Sequence, residues 1–239
     1  MRLLRGDGPL IRVGHRGAAL LAPENTLESF EAALAHGVDA IEFDVLARPG
    51  GPLVLGHSLD ELAPEPPTLD EALAFLAAHD VVAHVDLKLT TRLDELAAAL
   101  DRYGLAGRAV VSSFHRPSLR AVATHAPHVP IGFTYPEDRY GVSKRRGLKP
   151  AIRLGTLALR RAVVARVPVM IARAGARALM LQHAVVSAGA VERAHAAGAA
   201  VWAWTVDDPA ELARLEAAGV DAVITNDPRI FSGVATLPP

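Results

Sequence analysis

Short apolar runs alternate with stretches of helical periodicity along almost the whole chain. The runs fall at 10–15, 40–46, 81–88, 109–113, 129–134, 178–182, 200–206 and 222–225. Helical patterns fill the intervals at 26–36, 69–79, 93–103, 117–125, 148–174, 188–197 and 209–218. Strict alternation of strand and helix predicts a parallel sheet, since parallel strands need a crossover connection that a helix supplies. Eight such strands predict one α/β domain over 1–239, a closed (β/α)8 TIM barrel. The length of 239 residues suits that fold. An open doubly wound sheet is the weaker reading, because its Gly-rich dinucleotide fingerprint is missing.

Composition narrows the chemistry. There is no cysteine, which excludes a disulfide framework and a thiol nucleophile. Residues 1–7 contain no apolar run of signal-peptide length, and no stretch of about 18 uncharged apolar residues exists to span a bilayer. The expected location is cytoplasmic. Net charge is −1, but it is spread unevenly. Between Arg139 and Val191 there is no Asp or Glu, while Arg139, Lys144, Arg145, Arg146, Lys149, Arg153, Arg160, Arg161, Arg166, Arg173 and Arg177 carry 11 of the 25 basic charges. That asymmetry points to an anionic surface partner.

In such barrels the chemistry sits at the C-terminal ends of the strands. The first run ends in His15 and Arg16, with Gly14 and Gly17 on either side to let the backbone turn and a ligand come close. Histidine exchanges protons near neutral pH, and arginine grips oxyanions through two hydrogen bonds. Pro23, Glu24, Asn25 and Thr26 read as helix-start chemistry. In the second run Glu42 and Asp44 are two apart, so both face the barrel interior while Ile41, Phe43 and Val45 face the helices. Two carboxylates aimed together into an apolar interior repel each other, and a divalent cation between them removes that cost. Asp86 on the next strand is a third candidate ligand, with Lys88 on the same face. An all-oxygen set favours Mg²⁺ or Ca²⁺ over Zn²⁺.

The string His15-Arg16-Gly17…Pro23-Glu24-Asn25-Thr26, followed by Ile41-Glu42-Phe43-Asp44-Val45, resembles the glycerophosphodiester phosphodiesterase family, and the likeness extends from Gly14 to Pro228. Val201–Asp207 and Gly219–Pro228 look like that family's last two strands. The resemblance implies a metal-dependent phosphodiesterase acting on a glycerophosphodiester or lysophospholipid and releasing a phosphomonoester and an alcohol. It implies that a short excursion over 47–67 returns His57 to act with His15 as an acid/base pair. Arg16 and Lys88 would offset developing negative charge, and Trp204 would wall the substrate's alcohol. Ser112-Ser113-Phe114 is also family-like, and Gln182 or His183 is placed to reach the pocket.

Three departures from the family pattern stand out. Gly50-Gly51 replaces Asp-Gly, His57-Ser58 replaces His-Asp, and Asp86-x-Lys88 replaces Glu-x-Lys. The last is also similar to sphingomyelinase D-like phospholipases D, although Pro23–Thr26 favours the phosphodiesterase branch. Only 59–67 stands where the family commonly carries a sizeable insertion, so a more open site is expected. A non-catalytic barrel that binds phospholipid head groups is the alternative from another class.

The basic segment over 135–177, after the fifth run, would lie at the catalytic face. Lys149, Arg153 and Arg160 share one helical face there, beside an apolar flank of Leu148, Ile152, Leu159 and Val163, and Pro168 is expected to end or kink the helix. A basic stripe beside an apolar flank suits peripheral contact with an anionic membrane surface. No nucleic-acid partner is expected.

Overall fold

A computed structural model describes residues 2–137 and 149–232. Its strands are β1 (Ile11–His15), β2 (Ala40–Ala47), β3 (Leu53–Leu55), β4 (Val82–Leu87), β5 (Ala109–Ser113), β6 (Ile131–Tyr135), β7 (Ala178–Gln182), β8 (Ala200–Trp204) and β9 (Ala222–Thr225). Its helices are α1 (Leu27–Ala35), α2 (Leu69–Ala77), α3 (Leu93–Arg102), α4 (Arg116–His125), α5 (Lys149–Ala174), α6 (Ala188–Ala196) and α7 (Pro209–Ala217).

Eight of the strands are parallel neighbours in the order β1-β9-β8-β7-β6-β5-β4-β2, and β1 pairs with β2 to close the ring. The chain is therefore a (β/α)8 barrel. The remaining strand, β3, was not among the eight expected. It runs antiparallel on β2, pairing Leu55 with Val45 and Leu53 with Ala47. It can do so because β1 ends at His15, opposite Glu42, and leaves that edge of β2 open farther along. Gly56 N donates to Asp44 O at 3.1 Å on the same edge. This hairpin returns the chain over the barrel mouth just before His57.

Local sequence explains the helix starts. Thr26 caps α1 through Ser29, and Thr68 caps α2 through Glu71, each in a reciprocal capping box. Asp208 caps α7 ahead of Pro209. Pro168, expected to end or kink its helix, does not end it: α5 runs through it to Ala174. Val167, Met170 and Ile171 are buried around that proline, and this packing holds the helix across the missing N–H.

Ile41, Phe43 and Val45 pack outward against the helical layer with Phe30 and Leu73. The barrel lumen is a separate cluster containing Val13, Met180, Trp202 and Ile224. Trp202 fills the lower lumen and donates from Nε1 to Leu3 O at 3.2 Å, so the N-terminal segment closes the barrel's bottom. A sealed floor leaves the opposite mouth for polar side chains.

Candidate active site

The turn after β1 is set by Arg16, whose φ of 51° lies in the left-handed region. For a non-glycine residue that conformation costs about 1–2 kcal/mol, so the surroundings must fix it. Arg16 N donates to Glu42 Oε2 at 2.9 Å. Arg16 O accepts from Asn25 N at 3.0 Å and from Ser29 Oγ at 2.7 Å. The flanking glycines have steric causes. A Cβ on Gly17 would lie 2.2 Å from Ser29 Oγ, and one on Gly14 would lie 2.3 Å from Gly17 O.

The turn aims the Arg16 guanidinium at Asp44, where Nε lies 2.9 Å from Oδ2. Its Nη1 meets Glu24 Oε1 at 2.6 Å and its Nη2 meets His57 Nδ1 at 3.0 Å. Nη1 and Nη2 thus bond to protein partners while the buried Nε lies close to Asp44 without a hydrogen bond, and Arg16 ties the β1 turn to the His57 loop. Asn25 completes the clamp, accepting from Asp44 N at 2.9 Å and donating from Nδ2 to Asp44 Oδ2 at 3.2 Å.

Glu42, Asp44 and Asp86 are buried, and one oxygen from each lies within 4.8 Å of the others. Lys88 Nζ is 2.9 Å from Asp44 Oδ1 and also meets Asp86 Oδ2. The carboxyls divide electrostatically. Burial, together with the nearby charges of Asp44 and Asp86, pushes Glu42 well above the usual carboxylate range. Burial alone would also raise Asp44, but contact with His57 and the charges of Lys88 and Arg16 outweigh it and hold Asp44 low. Lys88 is pulled upward by Asp86 and Asp44 against the effect of its own burial. Three converging carboxylates with one forced toward its neutral form suit a hard divalent cation, which takes oxygen ligands and adds the charge this cluster lacks. The three residues fit such an ion.

His15 and His57 reach the cluster at Glu42 and Asp44 respectively. His15 Nδ1 is 2.6 Å from Asn226 Oδ1, and its Nε2 is 3.8 Å from Glu42 Oε2. Asn226 is itself held by Asp207, through its backbone N at 2.8 Å and its Nδ2 at 2.7 Å. Burial first, and then the charge of Arg16, lowers the His15 pKa. His57 is 42% exposed at the mouth, with Nδ1 3.3 Å from Asp44 Oδ2.

A cavity of about 530 Å³ connects these groups. His15, Arg16, Glu42, Asp44, His57, Asp86, Lys88 and Trp204 all line it. Trp204 donates from Nε1 to Met180 O at 2.8 Å and meets the Phe114 ring edge-on at 6.0 Å, which makes one wall aromatic. Gln182 and His183 do not line the cavity. Gln182 caps the turn that follows it, accepting from Ala184 N at 3.0 Å, and His183 Nδ1 meets Glu211 Oε1 at 2.7 Å on the helical side. Lys144, Arg145 and Arg146, and the side chains of Lys149 and Arg153, lie outside the described residues. Sequence reasoning missed Asn226, Asp207 and His84 as parts of the site. Asn226 and Asp207 stand in segments already singled out as the last two strands, which was the available signal.

A closed (β/α)8 barrel that gathers two histidines, three carboxylates, an arginine and a lysine at the C-terminal mouth has the groups that a phosphoric diester hydrolase needs. Residues 15–71 and 59–230 match the profile of the Glycerophosphoryl diester phosphodiesterase family, and the chain belongs to that family. It is 26% identical over 252 residues to a glycerophosphodiester phosphodiesterase of Caldanaerobacter subterraneus, covering 90% of this chain and 93% of that one. Among solved structures, a putative glycerophosphoryl diester phosphodiesterase of Silicibacter pomeroyi superposes with a TM-score of 0.75 at 24% identity, over 98% of each chain. An Oleispira antarctica phosphodiesterase in complex with the product sn-glycerol-3-phosphate superposes with a TM-score of 0.71 at 20% identity, over 94% of this chain and 96% of that one.

Proposed function

We propose that the chain hydrolyses glycerophosphodiesters, and lysophospholipids of the same head-group chemistry, to a phosphomonoester and an alcohol with the help of Mg²⁺ or Ca²⁺. The observation that carries this reading is the convergence of Glu42, Asp44 and Asp86 to within 4.8 Å beneath His15 and His57. An ion held by the three carboxylates supplies Lewis-acid polarisation of a non-bridging phosphate oxygen. The chain's own residues do the rest. Asn226 takes the Nδ1–H of His15, leaving the Nε2 lone pair toward the cavity as general base. His15 accepts the proton of the attacking hydroxyl, from water or from the substrate's neighbouring hydroxyl; in the second case the first product is a cyclic phosphodiester, which water then opens to the phosphomonoester with the two histidines exchanging roles. The new P–O bond forms as the bond to the leaving alcohol breaks, and His57 at the open mouth gives that oxygen a proton. Lys88 and Arg16 offset the negative charge that develops on the phosphoryl group. Trp204 and Phe114 wall the alcohol.

Product analysis on a small panel tests the reading. Glycerophosphocholine should yield glycerol phosphate plus choline, and a lysophospholipid should yield its phosphomonoester, lysophosphatidate, plus the head-group alcohol. Release of ceramide phosphate from added sphingomyelin, with glycerophosphocholine left intact, would instead place the enzyme with the phospholipases D, and no turnover of any of the three would favour a head-group-binding barrel.

Peripheral membrane contact is part of the proposal. The flank expected to meet lipid is corrected in part: Val163 is buried and Leu159 packs on the core, while Leu148 and the side chain of Ile152 lie outside the described residues. The exposed apolar residues of α5 are Leu157 and Val169, on the helix that carries Arg160, Arg161 and Arg166. Each basic residue near an anionic surface contributes about 1 kcal/mol. Co-sedimentation with anionic vesicles should rise with anionic lipid content and fall with salt. No helix of the described residues is long and apolar enough to cross a membrane.

A further inference from the structure

Beneath the carboxylate cluster, β4 points a second polar side chain into the lumen. His84 is level with Glu42 in the barrel register, and Asp86 is level with Asp44 and Ser112. His84 is 1% exposed and packs edge-on against Trp202, ring centroids 5.3 Å apart. Its Nε2 is 2.9 Å from Ser112 Oγ. Ser112 Oγ donates in turn to Asp86 Oδ1, and Thr134 Oγ1 donates to the same oxygen at 3.4 Å. His84 Nδ1 is buried and has no hydrogen-bond partner among the described residues.

The donors and acceptors of this chain can be assigned. A serine hydroxyl has one proton to give. It goes to the Asp86 carboxylate, because a hydrogen bond to an ionised acceptor is the stronger one. His84 Nε2 therefore meets a Ser112 lone pair and must carry the ring's N–H, which leaves Nδ1 as the bare nitrogen. In the other tautomer Ser112 would turn its proton toward Nε2 and release Asp86. With Oδ1 occupied by two hydroxyls, Oδ2 is the Asp86 oxygen that faces Lys88.

We propose that His84 is a positioning residue: acting through Ser112, it fixes Asp86 so that Oδ2 is presented to the cation beside Glu42 and Asp44. The inference rests on the metal-binding reading of the proposed function. It also explains why a histidine occupies this depth although one of its nitrogens goes unsatisfied there, at a cost in stability.

The test is direct Mn²⁺ binding, followed by electron paramagnetic resonance, on the purified full-length wild type, His84→Phe, His84→Gln, Ser112→Ala and the double variant His84→Phe/Ser112→Ala. His84→Phe keeps a ring against Trp202 but removes the donor. Its melting temperature should stay level or rise, because an unsatisfied buried nitrogen is lost, while Mn²⁺ affinity falls by roughly 10–100-fold, the usual effect of losing an outer-shell partner. Ser112→Ala should fall similarly, and the double variant should bind no more weakly than Ser112→Ala alone. His84→Gln, which retains an N–H donor, should recover part of the loss. Unchanged Mn²⁺ affinity in folded His84→Phe would overturn the proposal, as would a double variant whose losses multiply. Should His84→Phe not fold, Ser112→Ala and His84→Gln decide: Ser112→Ala binding Mn²⁺ like wild type would overturn it. Failure of the wild type itself to bind Mn²⁺ would instead sink the metal-binding reading, and the proposal with it.

Discussion

His15 Nδ1 and Asn226 Oδ1 are 2.6 Å apart although 211 residues separate them in the chain. Asp207 accepts both the backbone N–H and the side-chain NH₂ of Asn226, so the amide has only its oxygen to offer His15. Thr225 Oγ1 donates to the same Asp207 at 3.0 Å, which fixes the acceptor in turn. His15 consequently carries its proton on Nδ1 and presents Nε2 to the cavity.

Asn226→Leu should lower kcat by roughly 10–100-fold with little change in KM, the scale expected when an orienting partner of a catalytic group is lost. Nitrogen-15 NMR of the imidazole should show one tautomer in the wild type and a mixture in the variant. A variant with wild-type kcat would remove Asn226 from the mechanism. Asn226→Asp should be no substitute, because the new carboxylate would face that of Asp207 across the present 2.7 Å hydrogen bond.

The pH profile follows from the direction of the His15 shift. A general base works in its neutral form, and burial, then the charge of Arg16, moves its pKa below the ordinary 6.5. The acid limb of kcat/KM should therefore have its midpoint below pH 6.5, with activity rising as pH increases through it. His15→Ala should abolish that limb and lower the rate by on the order of 10²–10⁴. A midpoint above 6.5 would assign the base role elsewhere.

Far from the site, Arg12 and Asp39 form a nearly buried pair at the start of the barrel wall. Asp39 Oδ2 accepts from both Arg12 N at 2.8 Å and Nε at 2.9 Å, and Oδ1 accepts from Nη2 at 2.8 Å. Removing one partner leaves the other charge without compensation in a poorly hydrated place, so Asp39→Ala should destabilise by about 3–5 kcal/mol. Urea denaturation measures this, and the specific activity of the folded fraction should be unchanged. A loss within 0.5 kcal/mol would mean water replaces the carboxylate there, since changes of about that size are ordinary for exposed positions.

The barrel was legible because its eight parallel strands are short, largely apolar runs separated by stretches of helical period. β3 was not counted because Leu53–Leu55 is too short to show a period, and its pairing depends on an edge of β2 that β1 leaves open. Glu42 and Asp44 could be placed together because two-residue spacing fixes side-chain direction on a strand. Asn226 and Asp207 could not be linked to His15, because their contact depends on how barrel closure sets β9 beside β1. His84 looked like an ordinary strand residue until the register set it level with Glu42. Gln182 and His183 stand at a strand end, as active-site residues do, yet local turn chemistry and a helix-borne glutamate claim them.

The most direct test of the account is cation add-back during phosphodiester hydrolysis. Enzyme stripped with EDTA is mixed with glycerophosphocholine, and phosphorus-31 NMR follows the diester and monoester resonances as Mg²⁺ or Ca²⁺ is added. Turnover should be absent in EDTA, a monoester signal should appear and saturate with one of the two ions, and that response should be lost in Glu42→Ala, Asp44→Ala and Asp86→Ala. Undiminished hydrolysis in EDTA, or full activity in those three variants, would contradict metal dependence.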